Sequence, residues 1–149
     1  MLKPMINMSQ TSSKISVESF KGLLAAHHPF AELLGIEILD IGSGTAKLAL
    51  PPNPKHERLG GIVAGPMLMG LADLAMYAAV VGATGDAQAV TASLTMNFLR
   101  KSPPGTIYAY AKVLKAGRLC AGEVTLFSEH SDEPLAHSVS TWSRPNSKS

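Results

Sequence analysis

The amino-acid sequence predicts an α+β domain, a long buried helix with an antiparallel sheet laid against it. Three observations carry that expectation. Residues 60–83 (GGIVAGPMLMGLADLAMYAAVVGA) are nearly continuous apolar sequence interrupted by one charge, Asp73. Four later runs, starting near Val90, carry strand-like patterning, clearest as the period-two alternation of the first two. The connections between those runs are short and rich in Gly or Pro, as in Pro103-Pro104-Gly105 and Ala116-Gly117, which predicts that successive strands are antiparallel neighbours.

The long helix is expected to open at Gly65-Pro66, since Pro suits a first helical turn. From Pro66 to Val81 it is apolar on every side: Leu68, Leu71, Ala72 and Ala75 share one face, and Met67, Leu74, Ala78 and Val81 another. Such a helix is buried all round or sits in lipid. A carboxylate near mid-bilayer costs about 2.5–3.5 kcal/mol on the insertion scale, so Asp73 and the strands that follow favour a buried helix and no membrane. One sheet covers only one side of it. The other side calls for a second subunit or for a sheet that curls.

Ahead of this helix, residues 1–14 are expected to form a polar tail, with a single domain over 15–145 and a second short tail at 146–149. Ser16 is placed to cap a short helix carrying Phe20, Leu23, Leu24 and His27, which Pro29 ends or bends before a further apolar turn closes at Gly35. His27-His28 is no ligand pair, because neighbours on a helix point about 100° apart, and no metal site is expected. Ile36 to Leu50 reads as a hairpin around Gly42-Ser43-Gly44, stopped by Pro51-Pro52-Asn53-Pro54. Lys55-His56-Glu57-Arg58 then forms a charged loop leading into the long helix.

Composition narrows the function classes. With 149 residues, 46% hydrophobic and 16% charged, the chain suits one globular domain whose low charge points to surface hidden in an oligomer. A net charge of +2 with no basic run does not call for nucleic acid. The single cysteine, Cys120, excludes an intrachain disulfide and reads as a core thiol. The first residues lack a continuous apolar stretch, so no signal peptide is expected and the cytoplasm is favoured.

Asp73 is the chemical focus. Desolvation raises the pKa of a buried carboxyl, which suits a general base or nucleophile; the plain alternative is an Asp that reaches solvent or an interface, bonded to a backbone N–H or to Tyr77 one turn on. The helix start at Gly65 adds free N–H groups able to hold an oxyanion, and glycine lets a ligand come close.

These residues resemble a family. Gly61-x-x-Ala64-Gly65-Pro66 followed by Leu71-Ala72-Asp73, then Val90–Arg100 with Pro103-Pro104-Gly105, Ala116-Gly117-Arg118 and Pro134-Leu135-Ala136-His137, is similar to the hotdog-fold thioesterases of the phenylacetate-degradation (PaaI-like) type. The likeness spans residues 35–143. It implies a hotdog fold, a central helix wrapped by a curved antiparallel sheet, with two subunits forming a continuous sheet and active sites at their interface. It implies hydrolysis of acyl-CoA thioesters by a homodimer or tetramer without a cofactor. By position, Asp73 takes the catalytic carboxylate, the Gly65 amide polarises the carbonyl, and Thr91 orients water or the carboxylate. Arg100, Lys101 and Arg118 are candidates for CoA phosphates, with ordinary surface charge as the alternative for each. Met67, Leu68, Leu71, Phe98 and Tyr77 are candidates for an acyl pocket. Three positions depart from the pattern: Ala64 replaces a His, Pro66 a Gly, and Arg58 an Asn. Pro66 donates no N–H, leaving Gly65 and Met67 as donors. Arg58 is placed to pair with Asp73 across the interface or to bind an acidic acyl group. The alternatives are a non-catalytic acyl-CoA-binding hotdog module, or a hotdog hydratase, against which the missing His argues.

Overall fold

The computed structural model describes residues 12–145; residues 1–11 of the first expected tail and the whole of the second, 146–149, lie outside the described residues. Two short helices, α1 (Val17–His27) and α2 (Pro29–Leu34), precede the hairpin β1 (Glu37–Ile41) and β2 (Thr45–Leu50). A single 3-10 turn (Pro54–His56) and a small hairpin, β3 (Glu57–Arg58) and β4 (Ile62–Val63), lead into α3 (Gly65–Thr84). The chain ends with β5 (Val90–Phe98), β6 (Ile107–Lys115), β7 (Leu119–Ser128) and β8 (Pro134–Ser143).

The expected local signals set these elements. Ser16 Oγ accepts from the Ser19 N–H at 3.0 Å and caps α1. Ile38 and Ile41 are three apart and would face opposite ways in a regular strand; a bulge between Ile38 and Asp40 turns both into the core and leaves Leu39 exposed.

One six-stranded antiparallel sheet, in the order β1-β2-β6-β7-β8-β5, curves around α3. The helix touches all six strands, which is the hotdog arrangement the resemblance implies. In length and composition α3 is apolar enough to cross a bilayer, but its second half, from Ala75 to Gly82, is enclosed by the sheet and α1. At Gly82 the helix passes so close to the β1–β2 turn that an added methyl would overlap the Gly42 carbonyl and lie 2.8 Å from Ile41 Cγ2. Gly82→Ala is expected to destabilise the fold by about 1–3 kcal/mol, the range for overpacking, read as a lower urea midpoint at unchanged m-value.

Two expectations need correction. The runs β5 and β6 are not hairpin neighbours: β5 pairs with β8 at the sheet edge, and β6 with β2 and β7. The connection between them is held elsewhere. The Leu99 and Arg100 N–H groups both donate to the Leu135 carbonyl, the Ser102 carbonyl accepts from Val63 N–H, and Pro103-Pro104 supplies no donors to a ladder. The charged loop before α3 is also more ordered than expected. Gly60 and Gly61, at φ of 96° and 69°, make the tight turn that pairs β3 with β4 and fixes Arg58 beside the helix start.

Candidate active site

α3 is not covered on all sides. Along its first half Pro66 and Met69 are exposed, and Gly70, Asp73 and Leu74 are half-buried, a stripe at helical spacing that the sheet does not reach. Beside it runs β5, whose Val90 and Phe98 are half exposed despite an apolar alternation. Asp73 therefore sits at the rim of the core, on an open face.

Its partner is Thr91, the second residue of β5. Thr91 Oγ1–H donates to Asp73 Oδ1 at 2.8 Å, whereas Tyr77, the partner considered above, bonds elsewhere. Burial pushes the Asp73 carboxyl above its ordinary value, and the Thr91 hydrogen bond pulls partly back by stabilising the anion. A carboxylate poised in this way accepts a proton more readily than an exposed one while remaining accessible.

A cavity of about 270 Å³ opens against this pair. Phe30 and Leu34 of α2, Leu74 and Tyr77 of α3, Val90 and Trp142 form most of its apolar wall, and His28 stands at the α1–α2 break. Of these only Tyr77 is a pocket candidate in the sequence. His28 and Phe30 fall where helical periodicity is interrupted, and the one signal for Trp142 is that it is the only tryptophan. Tyr77 is central: its ring stacks on Trp142 at 5.6 Å and meets His28 at 5.1 Å. Burial, and then the Asp86 carboxylate, push the Tyr77 phenol up, so it stays a hydrogen-bond donor.

The start of α3 opens onto a different cavity, of about 440 Å³, lined by Arg58, Gly65, Leu68, Phe98, Arg100 and Lys101 among others. The Ala64 carbonyl accepts from the Met67 N–H at 3.0 Å. Met67 is thereby removed from the donor set, and its side chain packs on the core; Leu71 is fully buried. Gly65 N–H, first in the helix, keeps no partner among the described residues.

The basic candidates separate. Lys101 and Arg58 are exposed at the Gly65 cavity, whereas Arg100 is held by Glu133 at 3.0 Å and by the Pro134 carbonyl at 2.6 Å. Arg118 lies beside the β7 residue paired with Ser143, which in turn pairs with Val90, so it is at the opposite end of β5 from Arg100 and Lys101. Among the described residues no group of three or more His, Cys, Asp or Glu forms a cation site.

A family model described as the thioesterase superfamily matches residues 60–133, the stretch from the β3–β4 turn to the β7–β8 turn. A crystal structure of a provisionally assigned thioesterase from Silicibacter sp. TM1040 is 30% identical, covers 95% of this chain and 99% of that one, and superposes with a TM-score of 0.81. A single-site variant of the phenylacetic acid degradation protein PaaI from Thermus thermophilus is 29% identical over 78% of this chain and 98% of that one, with a TM-score of 0.71. A provisionally assigned esterase from Saccharolobus solfataricus is 29% identical over 129 residues, 86% of this chain and 85% of that one.

Proposed function

Because the chain belongs to the thioesterase superfamily, we propose that it hydrolyses acyl-CoA thioesters of small or medium aliphatic or aromatic acids, with Asp73 as base or nucleophile and Gly65 N–H as oxyanion donor. The observation that carries this reading is the Asp73–Thr91 pair, the one charged group on an apolar helix, set at the mouth of an apolar cavity. A thioester is already activated, so a positioned base and one oxyanion donor supply the chemistry required.

The two groups cannot serve one carbonyl from within one chain. Eight residues separate Gly65 from Asp73, about 12 Å along the axis at 1.5 Å per residue, whereas an attacking oxygen and an oxyanion donor each lie about 3 Å from the reacting group. A two-fold pairing that lays the bare stripes of two α3 helices antiparallel brings Gly65 of each copy towards Asp73 of the other. The exposed edge of β5 suits the same pairing, since an unpaired edge with half-exposed Val90 and Phe98 is a template for a second strand. The homodimer, alone or doubled into a tetramer, is then the unit that carries the sites.

In the water route, Asp73 takes a proton as the water oxygen bonds to the carbonyl carbon. The oxyanion rests on Gly65 N–H and the opposite helix start. Collapse breaks the C–S bond, and Asp73 returns its proton to the CoA thiolate. In the direct route the carboxylate itself adds to the carbonyl carbon, collapse breaks the C–S bond and expels the CoA thiolate to leave a mixed anhydride, and water then hydrolyses that anhydride, freeing the acid and the Asp73 carboxylate while a proton from the water passes to the thiolate. Lys101 and Arg58 are the cations free to meet CoA phosphates beside Gly65, with Arg118 approaching from the Asp73 side. The buried thiol of Cys120 suits a reducing compartment, and we place the activity in the cytoplasm.

The test is release of free thiol from a panel of acyl-CoA thioesters spanning acetyl, octanoyl and benzoyl groups. Turnover of at least one member is expected. Tight binding of acyl-CoA without turnover would instead make the protein a binding module.

A further inference from the structure

The start of α3 holds one oxyanion donor and no spare. Pro66 has no N–H and the Met67 N–H is bonded to the Ala64 carbonyl, so the reacting carbonyl depends on where the Gly65 N–H is held. The backbone entering Gly65 is fixed twice. Val63 N–H donates to the Ser102 carbonyl at 2.9 Å, and Ala64 N–H to the His56 carbonyl at 2.9 Å. Gly65 also lies beside the Phe98 ring. Phe98 ends β5 and Ser102 sits in the connection that follows, so the seat of the donor depends on how that connection is held.

The connection is tied to the β7–β8 turn at both of its ends. At the start, the Leu99 and Arg100 N–H groups share the Leu135 carbonyl at 2.8 and 3.1 Å. At the finish, Thr106 N–H donates to the Glu129 carboxylate, and Glu129 N–H returns a bond to the Thr106 carbonyl at 2.9 Å. Arg100, two residues before Ser102, adds a side-chain tie to the same turn. Its Nη1–H donates to the Pro134 carbonyl at 2.6 Å, and its Nε meets the Glu133 carboxylate at 3.0 Å.

With side chains 45% and 61% exposed, the Arg100–Glu133 pair adds little to global stability. Its effect is directional. A planar guanidinium that holds a carboxylate and a carbonyl of one turn fixes the orientation of the chain that carries it. We infer that Arg100 is a positioning residue for the oxyanion donor, acting from the β7–β8 turn through Ser102 and Val63 on the Gly65 N–H. The role rests on the hydrolytic reading above, and it stands in place of the contact with CoA phosphates that the charge of Arg100 suggests.

The experiment measures kcat and KM for one acyl group carried on CoA and on pantetheine, which has none of the CoA phosphates. In Arg100→Ala, kcat is expected to fall about 3- to 30-fold on both carriers with KM unchanged, less than the roughly 100-fold of a displacement of about 1 Å. Arg100→Lys keeps the charge without the fork and should not restore it. In Glu133→Ala, a change at an exposed side chain, kcat is expected to fall part of the way. A phosphate ligand behaves otherwise: KM rises in Arg100→Ala on CoA alone, recovers in Arg100→Lys, and falls in Glu133→Ala as the guanidinium is freed. That pattern overturns the assignment, as does an unchanged kcat in Arg100→Ala. Hydrogen exchange reads the tie without turnover. The Val63 amide is expected to exchange about 3- to 10-fold faster in Arg100→Ala while the amides of the interior strand β7 keep their rates. An unchanged Val63 rate, or equal acceleration in β7, overturns the assignment. If no thioester is cleaved, the hydrolytic reading fails by itself, and Val63 exchange still decides on Arg100.

Discussion

Asp73→Asn is expected to lower kcat by about 10²–10⁴-fold, the range for removing a general base, and to raise the stability of the protein at neutral pH. Both effects come from the same burial. Desolvation raises the folded-state pKa of Asp73 above its unfolded value, so near neutrality the ionised form is disfavoured in the folded protein relative to the unfolded one. The stability linked to this group is fully present below the unfolded pKa and is lost as pH rises through the folded one. Asn carries no charge to desolvate and still offers an oxygen to Thr91 Oγ1–H. Its melting temperature should therefore exceed that of the wild type at pH 7, compared at equal protomer concentration, with the gap closing towards acid. The activity profile runs the other way. Wild-type kcat/KM should fall as acid protonates Asp73 through its raised pKa, and the residual activity of the variant should lack that limb. Retained kcat would move the chemistry off Asp73. A lower melting temperature at pH 7 would mean that the ionised carboxylate contributes more through its hydrogen bond than its burial costs.

What the sequence made legible follows from how local each signal is. The central helix, its start at Gly65 and its single carboxylate are visible because an apolar run with one charge has only a few physical interpretations. The Ser16 cap and the hairpins β1–β2 and β6–β7 are set by residues adjacent in the chain. The partner of β5 was not legible. A connection of turn-forming residues looks alike whether it folds back or crosses the core, and hydrogen bonds to the Leu135 carbonyl and from the Val63 N–H, both remote in sequence, decide between them. Alternation in β5 also overstated its burial, because the pattern records an apolar face without saying whether this chain covers it. Within the candidate site, Thr91 Oγ1–H donates to Asp73 Oδ1 across eighteen residues of sequence. The first turn uses the Met67 N–H, and the core encloses the Leu71 side chain, neither of which the sequence pattern records. His28, which lines the cavity, escaped because it sits in a break between helices, where no periodicity assigns a face.

Mixing two inactive variants is expected to restore activity, and this result bears on the composite site most directly. Gly65→Pro deletes the proposed oxyanion donor at a first helical position, where proline is tolerated, and should cost about 10²–10³-fold in kcat. Gly65→Ala is its control: it keeps the N–H and sets a methyl 3.4 Å from the Phe98 ring, an ordinary contact. If each site takes Gly65 from one copy and Asp73 from the other, a hybrid of Gly65→Pro and Asp73→Asn chains has one site with both defects and one with neither. Random reassociation of equal amounts makes half of the dimers hybrid, each with one of two sites intact, so about one quarter of wild-type activity should return. If Gly65 and Asp73 served the same carbonyl within one chain, every site in every dimer would carry a defect and nothing would return. The distance along α3 argues for the first outcome, since about 12 Å of helix separates a donor and a base that must act on one reacting group. Recovery near one quarter would also identify the bare stripe of α3 and the free edge of β5 as contact surfaces. No recovery from chains shown to exchange would confine catalysis to a single protomer and remove Gly65 from it.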